Sequence, residues 1–462
     1  MKTNPVLPSS SILPTIPEVA RSDFAKDFMW GCSTSSYQIE GAIDVDGRVE
    51  SIWDRFSAQP GNISDGSSGK NACDHYHRWP EDLDIASELG MNAYRFSIAW
   101  PRIFSETGSQ PNQKGLDFYS RMVDGMLERG LQPWATLYHW DLPQALQDRG
   151  GWNERGTVAQ FVKFADVMSH HLGDRVKNWI THNEPWCTAM HGNWDGMHAP
   201  GNKDFKTALQ VCHHVLLSHG LAIPVIKANV PDAKVGIALS LHPVQPASTA
   251  QADLDATVRH DGLRNRWFLD PLHGRGYPQD IWQLCGTDVP VVEQGDLAAI
   301  STAIDFLGVN YYFPEVVAYA PEALPLQAKV VVMPDRERTA FGWEVAPEGL
   351  ASLLKRIVQD YHPVPIYITE NGSSYDDVLE EDGTINDAER RNYFIRHLAV
   401  LRDVIAQGIA VKGYFAWSLM DNFEWAEGYR RRFGLVYVDF ATQKRSVKSS
   451  GRWYARFLKG KS

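Results

Sequence analysis

Amphipathic helical stretches alternate with short apolar runs along most of the chain. Residues 80–89, 114–128 and 158–172 each place their apolar side chains on one helical face and stop at a glycine. Each stretch is followed by a run of aliphatic, β-branched and aromatic residues that is typical of a buried strand. The same alternation continues beyond residue 207, and it predicts eight strands that begin near positions 28, 92, 132, 177, 235, 304, 365 and 412.

This repeated helix–strand unit predicts the fold class. Eight β/α units without a linker between them favour a single closed (β/α)8 TIM barrel, an α/β fold, over a doubly wound sheet. We therefore expect one domain over residues 22–462, preceded by a flexible lead-in over residues 1–21 that is rich in Pro and Ser. The long connections near 196–206, 242–262 and 313–345 are predicted to be insertions at the barrel rim.

Composition excludes several classes of partner. With 44% hydrophobic and 22% charged residues the chain is ordinary for a globular protein, and its net charge of −11 favours neither nucleic acid nor an anionic membrane surface. No run of about 18 apolar residues is present, so no membrane span is expected. The N-terminus lacks the basic and apolar segments of a signal peptide, which predicts a cytoplasmic protein.

The five cysteines are scattered singly, without a Cys-x-x-Cys pair. This spacing predicts neither a disulfide framework nor a zinc site, and it fits a reducing compartment. Two histidine pairs, His75 with His77 and His213 with His214, are interpreted as packing residues, on the expectation that neither pair has a carboxylate or cysteine partner within reach. No metal and no cofactor are expected.

Two glutamates stand out because each ends a strand-like run. Glu184 closes the run 176–184 and Glu370 closes the run 364–370. In a barrel of this class the site lies at the carboxyl ends of the strands, so both side chains are expected at one rim. Two facing carboxyl groups are the minimum apparatus for cleaving a glycosidic bond. Seven of the eight strands, all but the fifth, bring a candidate to that rim, the others being Gln38, Arg95, His139, Trp140, Asn183, Asn310, Tyr312 and Trp417.

Plainer readings exist for several of these residues. Asn183-Glu184-Pro185 could start a helix, with Asn183 as its cap and Pro185 in its first turn. Gln38 could be a loop amide that meets backbone, and His139 could be a satisfied core imidazole. The chain contains 16 Trp, some of which could stack on a flat ligand face, although most Trp are core residues.

Six motifs occur in order at the predicted barrel positions, and together they resemble glycoside hydrolase family 1, the β-glucosidase family. The likeness runs from about Phe24 to Phe457. The motifs are Gln-Ile-Glu-Gly at 38–41, Tyr-His-Trp-Asp at 138–141, Thr-His-Asn-Glu-Pro at 181–185, Val-Asn-Tyr-Tyr at 309–312, Ile-Thr-Glu-Asn-Gly at 368–372 and the run from Trp417 to Tyr429.

The resemblance implies roles for these residues. Glu370 would be the nucleophile and Glu184 the acid/base of an exo-acting retaining β-glucosidase, whose carboxyl groups are expected about 5–5.5 Å apart. Arg95 and Tyr312 are expected to favour the anion of Glu370, while that anion and partial burial favour protonated Glu184. Sugar contacts are implied for Gln38, His139, Asn183, Glu424 and Trp425, with stacking by Trp417 and support of the carboxylates by Arg95, Asn310 and Tyr312.

The substrate expectation depends on Glu424. An anionic carboxylate there would accept hydrogen bonds from O4 and O6 and would repel a 6-phosphate. Relatives that act on 6-phosphorylated sugars carry Ser at this position with a downstream Lys and Tyr, where this chain has Arg431 and Phe433. Neutral β-glucosides and cello-oligosaccharides are therefore expected, with galactosides and fucosides tolerated, water or an alcohol as acceptor, and a place in cellulose or polysaccharide degradation. The alternatives are a 6-phospho-β-glycosidase and a non-catalytic sugar-binding scaffold; no oligomeric state is implied.

Overall fold

Eight parallel strands close into a barrel in a computed structural model that describes residues 16–104 and 110–461. Each strand pairs with its neighbour in sequence, and the first pairs with the last, so the predicted (β/α)8 barrel is confirmed. Of the predicted lead-in 1–21, residues 1–15 lie outside the described part. The barrel strands are β1 (Met29–Ser33), β2 (Ala93–Ser97), β3 (Gln132–Tyr138), β4 (Asn178–Asn183), β5 (Lys234–Ser240), β6 (Phe306–Asn310), β7 (Ile366–Asn371) and β8 (Val411–Trp417).

The barrel interior is filled by side chains that alternate with those facing the helices. Trp134, Phe306 and Phe415 form a buried cluster with small residues of the neighbouring strands, and the ring centroid of Trp134 lies 5.1 Å from that of each Phe. Close packing here requires a glycine on β1, because a Cβ at Gly31 would lie 2.4 Å from Cδ1 of Phe415. A packed interior leaves only the strand ends free to bind a ligand.

The helices predicted at 80–89, 114–128 and 158–172 are present, whereas Gln251–Asp261 and Ser449–Leu458 are long helices that the sequence analysis did not predict. The first predicted helix begins earlier, at His75 ahead of Pro80, because Tyr76 packs on Phe118 with ring centroids 4.4 Å apart and so stabilises an additional turn. The helices of ten or more residues are α1 (His75–Glu88), α2 (Gln113–Glu128), α3 (Arg155–Leu172), α4 (Phe205–Asn229), α5 (Gln251–Asp261), α6 (Pro347–Tyr361), α7 (Ala388–Ala406) and α8 (Ser449–Leu458).

Short elements complete the rim. Short α-helices are Ser36–Ile39, Ile52–Ser57, Trp100–Ile103, Gln144–Gln147, Trp267–Leu272, Gln279–Cys285 and Asp296–Ile300. The 3-10 turns are Arg21–Asp23, Gly151–Asn153, Gly286–Asp288 and Trp425–Glu427, and two π-helical turns span Cys187–His191 and Gly262–Arg266.

Two of the predicted insertions build a small sheet of their own. Val244–Pro246, Glu315–Tyr319 and Ala328–Val330 pair into a three-stranded sheet, and a separate hairpin joins Val436–Asp439 to Lys444–Val447. Among the described residues, α4 is long and apolar enough to cross a membrane, and 78% of its apolar window is buried inside the fold. A core helix of a barrel protein meets the same description.

Candidate active site

A cavity of about 340 Å³ opens at the carboxyl ends of the barrel strands, within the size range of small-molecule sites. Aromatic rings form much of its wall, and carboxyl groups project into it. Nine of the predicted site residues line the cavity, namely His139, Trp140, Glu184, Tyr312, Glu370, Trp417, Glu424, Trp425 and Phe433.

Glu370 is delivered to this cavity by the end of β7 and is held by two donors. Nη1 of Arg95 donates to Oε1 at 2.6 Å, and the hydroxyl of Tyr312 donates to Oε2 at 2.7 Å. The side chains of Arg95 and Glu370 are 0% and 4% exposed, so this ion pair is shielded from solvent. Both predicted contacts are present, and they orient the carboxyl group from two sides.

The charge of Glu370 reflects a competition between burial and these two contacts. Burial raises the pKa of the Glu370 carboxyl to about 7, and repulsion by Glu184 acts in the same direction. Arg95 and Tyr312 lower the pKa, as expected, but desolvation outweighs them. The pKa of the Glu370 carboxyl is therefore raised, although the ion pair with Arg95 by itself would lower it.

Glu184 follows β4 at a sharp change of chain direction. Its backbone has a φ of +50°, and its N–H donates to the carbonyl of Ala238 at 2.8 Å. Its Oε1 accepts from Nδ2 of Asn310 at 2.9 Å, and the thiol of Cys187 lies 3.1 Å from Oε2. Both oxygens of the Glu184 carboxyl group therefore accept from neighbouring side chains, which fixes its orientation.

The plainer reading of this segment is partly right. A helical turn does begin at Pro185, and the carbonyl of Glu184 accepts from Cys187 N at 2.9 Å. The prediction that Asn183 caps this turn is wrong, because its side chain is used elsewhere. Its Oδ1 accepts from Nη2 of Arg95 at 2.6 Å and from Nδ2 of Asn310 at 3.0 Å.

One hydrogen-bond network thus connects the two glutamates. Arg95 bonds Glu370 with Nη1 and Asn183 with Nη2, while Asn310 bonds both Asn183 and Glu184. Asn310 and Glu370 are also register partners in β6 and β7. The strand ends and this network bring both carboxyl groups to the cavity, and of the two glutamates Arg95 contacts Glu370.

Nδ2 of Asn183 lies 3.1 Å from Nε2 of His139, which assigns Nε2 as an acceptor. Burial keeps the pKa of His139 well below its usual value, so the ring is neutral. Its Nδ1 has no hydrogen-bond partner among the described residues. His139 is therefore not a satisfied core imidazole, and its ring N–H is left for a ligand.

Glu424 and Trp425 reach the cavity on the connection after β8. Nε2 of Gln38 donates to the carbonyl of Phe423 at 3.0 Å and lies 3.4 Å from Oε2 of Glu424, while Oε1 of Gln38 accepts from Ser35. Gln38 is fully buried, and its hydrogen bonds hold this connection in position. The amide thus meets backbone, as the plainer reading has it, and Gln38 is not among the residues that line the cavity.

The expectation of an anionic Glu424 is corrected by its surroundings. Burial raises the pKa of the Glu424 carboxyl to about 8, with repulsion by Glu370 and Glu184 in the same direction and the Gln38 contact opposing it. Burial and the neighbouring carboxyl groups therefore favour the protonated form of Glu424. A neutral carboxyl can donate one hydrogen bond as well as accept others.

Aromatic rings enclose the space between these carboxyl groups. The ring of Trp417 stacks at 6.0 Å from His139, and Trp140 lies 4.5 Å from Trp425, centroid to centroid. Phe433 joins Trp417 and Tyr312 in a buried cluster. These rings offer apolar faces to a flat ligand beside polar groups that select its hydroxyls.

Several lining residues escaped the sequence analysis. Ser240 ends the fifth strand, to which no candidate was assigned, and His242 follows it; Glu315 and Arg264 lie beside them. Arg264 is fully engaged, since Nε faces Glu315 at 3.3 Å and both Nη atoms bond Ser240. No motif marks these positions. Trp186, Phe341 and Trp343 also line the cavity, from connections whose course no periodicity predicts.

The expectation that neither histidine pair has a carboxylate within reach is wrong. His75 lies 2.8 Å from Asp82, His77 2.6 Å from Asp74, and His213 2.9 Å from Asp296. These are single contacts. In residues 16–104 and 110–461, no group of three or more His, Cys, Asp or Glu is arranged to hold a metal ion.

The chain matches a known protein family over nearly its whole length. The family model for Glycosyl hydrolase family 1 matches residues 20–462. β-Glucosidase A of Thermotoga maritima is 46% identical over 438 residues, which are 94% of this chain and 98% of that protein. The bifunctional β-D-glucosidase/β-D-fucosidase of Bifidobacterium breve is 42% identical over 457 residues, covering 94% of this chain and 98% of that protein.

A solved structure is similarly close. The Thermotoga maritima family 1 glycoside hydrolase, complexed with a cyclophellitol analogue transition-state mimic, superposes with a TM-score of 0.92 at 45% identity. The match covers 95% of this chain and 98% of that one. Sequence and fold are thus alike over nearly the full length of both proteins.

Proposed function

Because this chain belongs to glycosyl hydrolase family 1, we propose that it is an exo-acting retaining β-glucosidase that removes terminal non-reducing β-D-glucosyl residues by double displacement. The observation that carries the proposal is the network around the two glutamates. Glu184 and Glu370 face one cavity, yet only Glu370 contacts Arg95 and Tyr312. Two carboxyl groups in unlike surroundings can take unlike roles.

In the first step, ionised Glu370 attacks the anomeric carbon and Glu184 protonates the leaving oxygen. The Arg95 guanidinium and the Tyr312 hydroxyl stabilise the anion that attacks. The contact of Asn310 with Oε1 orients the Glu184 carboxyl group that delivers the proton. The C1–leaving-group bond breaks as the C1–Oε bond of the glycosyl ester forms.

In the second step, Glu184 acts as a base toward water or an alcohol. Formation of the ester removes the negative charge of Glu370, so the repulsion between the two carboxyl groups disappears. Glu184 then takes a proton from the acceptor, which attacks C1 and releases Glu370. The same residue serves both steps, and the product keeps the β configuration.

Asn183 is placed to act on the 2-hydroxyl of the sugar. Its carbonyl oxygen accepts from both Arg95 and Asn310, so its NH₂ group is turned toward His139, which lines the cavity. Hydrogen bonds at the 2-hydroxyl strengthen as the ring approaches its oxocarbenium-like transition state. The fixed orientation of Asn183 thus prepares a contact that favours the transition state over the bound substrate.

The sugar is proposed to be neutral glucose, with β-galactosides and β-fucosides as side substrates. Glu424 and Trp425 would contact O4 and O6, and a carboxyl that both donates and accepts does not strongly select the orientation at O4. The bifunctional relative named above is consistent with a tolerated fucoside. Cello-oligosaccharides, and thus a role in cellulose or polysaccharide breakdown, are proposed on the same basis.

A 6-phospho-β-glycosidase is the enzymatic alternative, and the cavity disfavours it. Five glutamates line the cavity that a phosphate would enter, namely Glu184, Glu315, Glu370, Glu424 and Glu427, and a bound phosphate dianion would hinder the ionisation of those carboxyl groups that are not paired with a cation. Arg264 is the lining cation among the described residues, and its nitrogens are already paired. Comparing 4-nitrophenyl β-glucoside with its 6-phosphate decides the matter, since a preference for the phosphate would overturn this assignment.

The roles of the two glutamates are tested with an activated aryl glucoside and azide. Glu184→Ala should still form the glycosyl ester, and azide should accelerate its turnover and give the β-glucosyl azide, because azide needs no general base. Glu370→Gly should lose hydrolysis almost completely. An α-azide from Glu184→Ala would contradict the assignment, and unimpaired Glu370→Gly would favour a non-catalytic role for this carboxyl.

We further infer that the enzyme acts in the cytoplasm. Supporting this inference, its five cysteines are unpaired and buried, as is usual in a reducing compartment. Fractionation of cells that produce the protein from its own gene, with activity measured in each fraction, tests this inference.

A further inference from the structure

The connection after β8 forms a compact loop whose two ends are tied together by one aspartate. We call residues 421–434 the glycone loop, since it carries Glu424, Trp425 and Phe433 to the cavity. Asp421 stands at its start and accepts from the backbone N–H of Gly434, at its end, at 3.0 Å. A loop closed in this way holds its side chains in a defined position.

The side chain of Asp421 is itself held by two cations. Nη1 of Arg432 donates to Oδ2 at 2.6 Å, and Nζ of Lys448 donates to Oδ1 at 2.5 Å. The side chains of Asp421 and Lys448 are both 0% exposed. Lys448 stands just before α8, far from the cavity lining, and its backbone N–H donates to the carbonyl of Leu435, directly after the glycone loop.

Lys448 also reaches the connection that follows the nucleophile strand. Its Nζ donates to Oδ2 of Asp377 at 2.5 Å, and Asp377 pairs in addition with Arg390. One buried ammonium group therefore joins the loop after β7, which follows Glu370, to the loop after β8, which carries Glu424.

The buried cluster around Lys448 contains equal numbers of positive and negative side chains. Its cations are Arg390, Arg432 and Lys448, and its anions are Asp377, Asp387 and Asp421. Asp387 pairs with Arg390 and caps the start of α8 through Ser449 and Ser450. A buried charge is tolerated only with its partner in place, so the cluster favours one arrangement of the segments that supply it. Removing one charge leaves its partner without compensation.

We propose that Lys448 is a positioning residue for sugar recognition, which acts through Asp421 to hold the glycone loop at the C4–C6 side of the hexose. This inference rests on the function proposed above, because Glu424 is taken there to contact O4 and O6. Lys448 does not touch the substrate. Its effect should therefore depend on whether the substrate has groups for the glycone loop to bind.

The test compares two substrates that differ at C6. A β-D-xyloside has the ring of a β-D-glucoside without the CH₂OH group. In Lys448→Met and in Asp421→Asn, kcat/KM for 4-nitrophenyl β-glucoside should fall roughly tenfold more than kcat/KM for the xyloside, the loss expected when a buried hydrogen bond of the sugar is weakened. Lys448→Arg, which keeps the charge, should recover part of the preference.

Asp387→Asn is the matched control, because Asp387 belongs to the same buried cluster but bonds Arg390 and the start of α8. It should lower Tm as the other variants do and leave the glucoside-to-xyloside ratio at the wild-type value. If Lys448→Met does not fold, the comparison of Asp421→Asn with Asp387→Asn decides.

An unchanged ratio in Asp421→Asn and in every Lys448 variant that folds, or an equal change in Asp387→Asn, would mean that the cluster only stabilises the fold, and the proposal would be overturned. Failure of the proposed function has a different signature, since the wild-type protein would then hydrolyse neither aryl glycoside.

Discussion

Removing the hydroxyl of Tyr312 should shift the pH dependence of catalysis toward alkaline pH. The hydroxyl donates to Oε2 of Glu370 at 2.7 Å within a buried site. A hydrogen bond to a charged group contributes about 1.5–3 kcal/mol, which corresponds to roughly 1–2 pH units in the ionisation of its acceptor. Tyr312→Phe deletes this contribution while keeping the ring in place.

The sign follows from the contacts of Glu370. Burial raises the pKa of its carboxyl to about 7, and Tyr312 lowers it. Loss of the hydroxyl therefore raises the pKa further, so less of the reactive anion is present at a given pH. The acid limb of the kcat/KM profile should move up by roughly 1–2 pH units. At pH values below this limb, kcat/KM of the variant should be about 10–100-fold lower than that of the wild type, and the difference should be smaller above it.

The assay is a pH profile of kcat/KM for 4-nitrophenyl β-glucoside from acid to alkaline pH. Tyr311→Phe is the matched control, since its hydroxyl donates to the carbonyl of Ala346 and is buried without contacting Glu370. It should leave the limb where it is. A limb that stays in place in Tyr312→Phe, or that moves to lower pH, would refute the reasoning about this hydrogen bond.

Two further predictions concern stability. The Tm difference between Glu424→Gln and the wild type should grow from pH 5 to about pH 8 and then level off, because burial raises the pKa of Glu424 to about 8 while the unfolded chain already ionises near the ordinary pKa of about 4.3. An equal Tm difference at pH 5 and pH 9, measured by calorimetry, would contradict this. Gly31→Ala should destabilise the barrel by about 1–3 kcal/mol in urea unfolding, because its Cβ would meet Phe415 at 2.4 Å. Gly156→Ala, with nothing within 4 Å, is its control and should be neutral or stabilising.

Local periodicity was sufficient to predict the barrel helices and strands. The predicted helix 158–172 corresponds to the observed Arg155–Leu172, and the strand predicted near 365 to Ile366–Asn371. The three-stranded sheet at the rim escaped prediction because its pieces, such as Val244–Pro246 and Glu315–Tyr319, are short and become strands only by pairing with each other. Such pairing joins segments far apart in the chain, which no local pattern records.

The same contrast applies to the active site. Glu184 and Glu370 could be placed at one rim from the sequence, because the ends of parallel strands meet at one end of a barrel. The capping role suggested for Asn183 was wrong, since its local sequence resembles a helix start while its side chain is drawn into contacts with Arg95 and Asn310. Ser240, at the end of the fifth strand, and His242, just after it, have no motif to mark them.

The sequence by itself determined the order of β/α units, the carboxyl groups at two strand ends and the family to which the chain is similar, because each of these is written in residues that lie close together in the chain. Only the tertiary structure decided the charge of Glu370 and Glu424 and the contacts of Lys448. A pKa depends on the loss of water and on charges brought near by packing. Those neighbours come from distant parts of the chain, as Lys448 reaches Asp377 and Asp421 only after the barrel has closed.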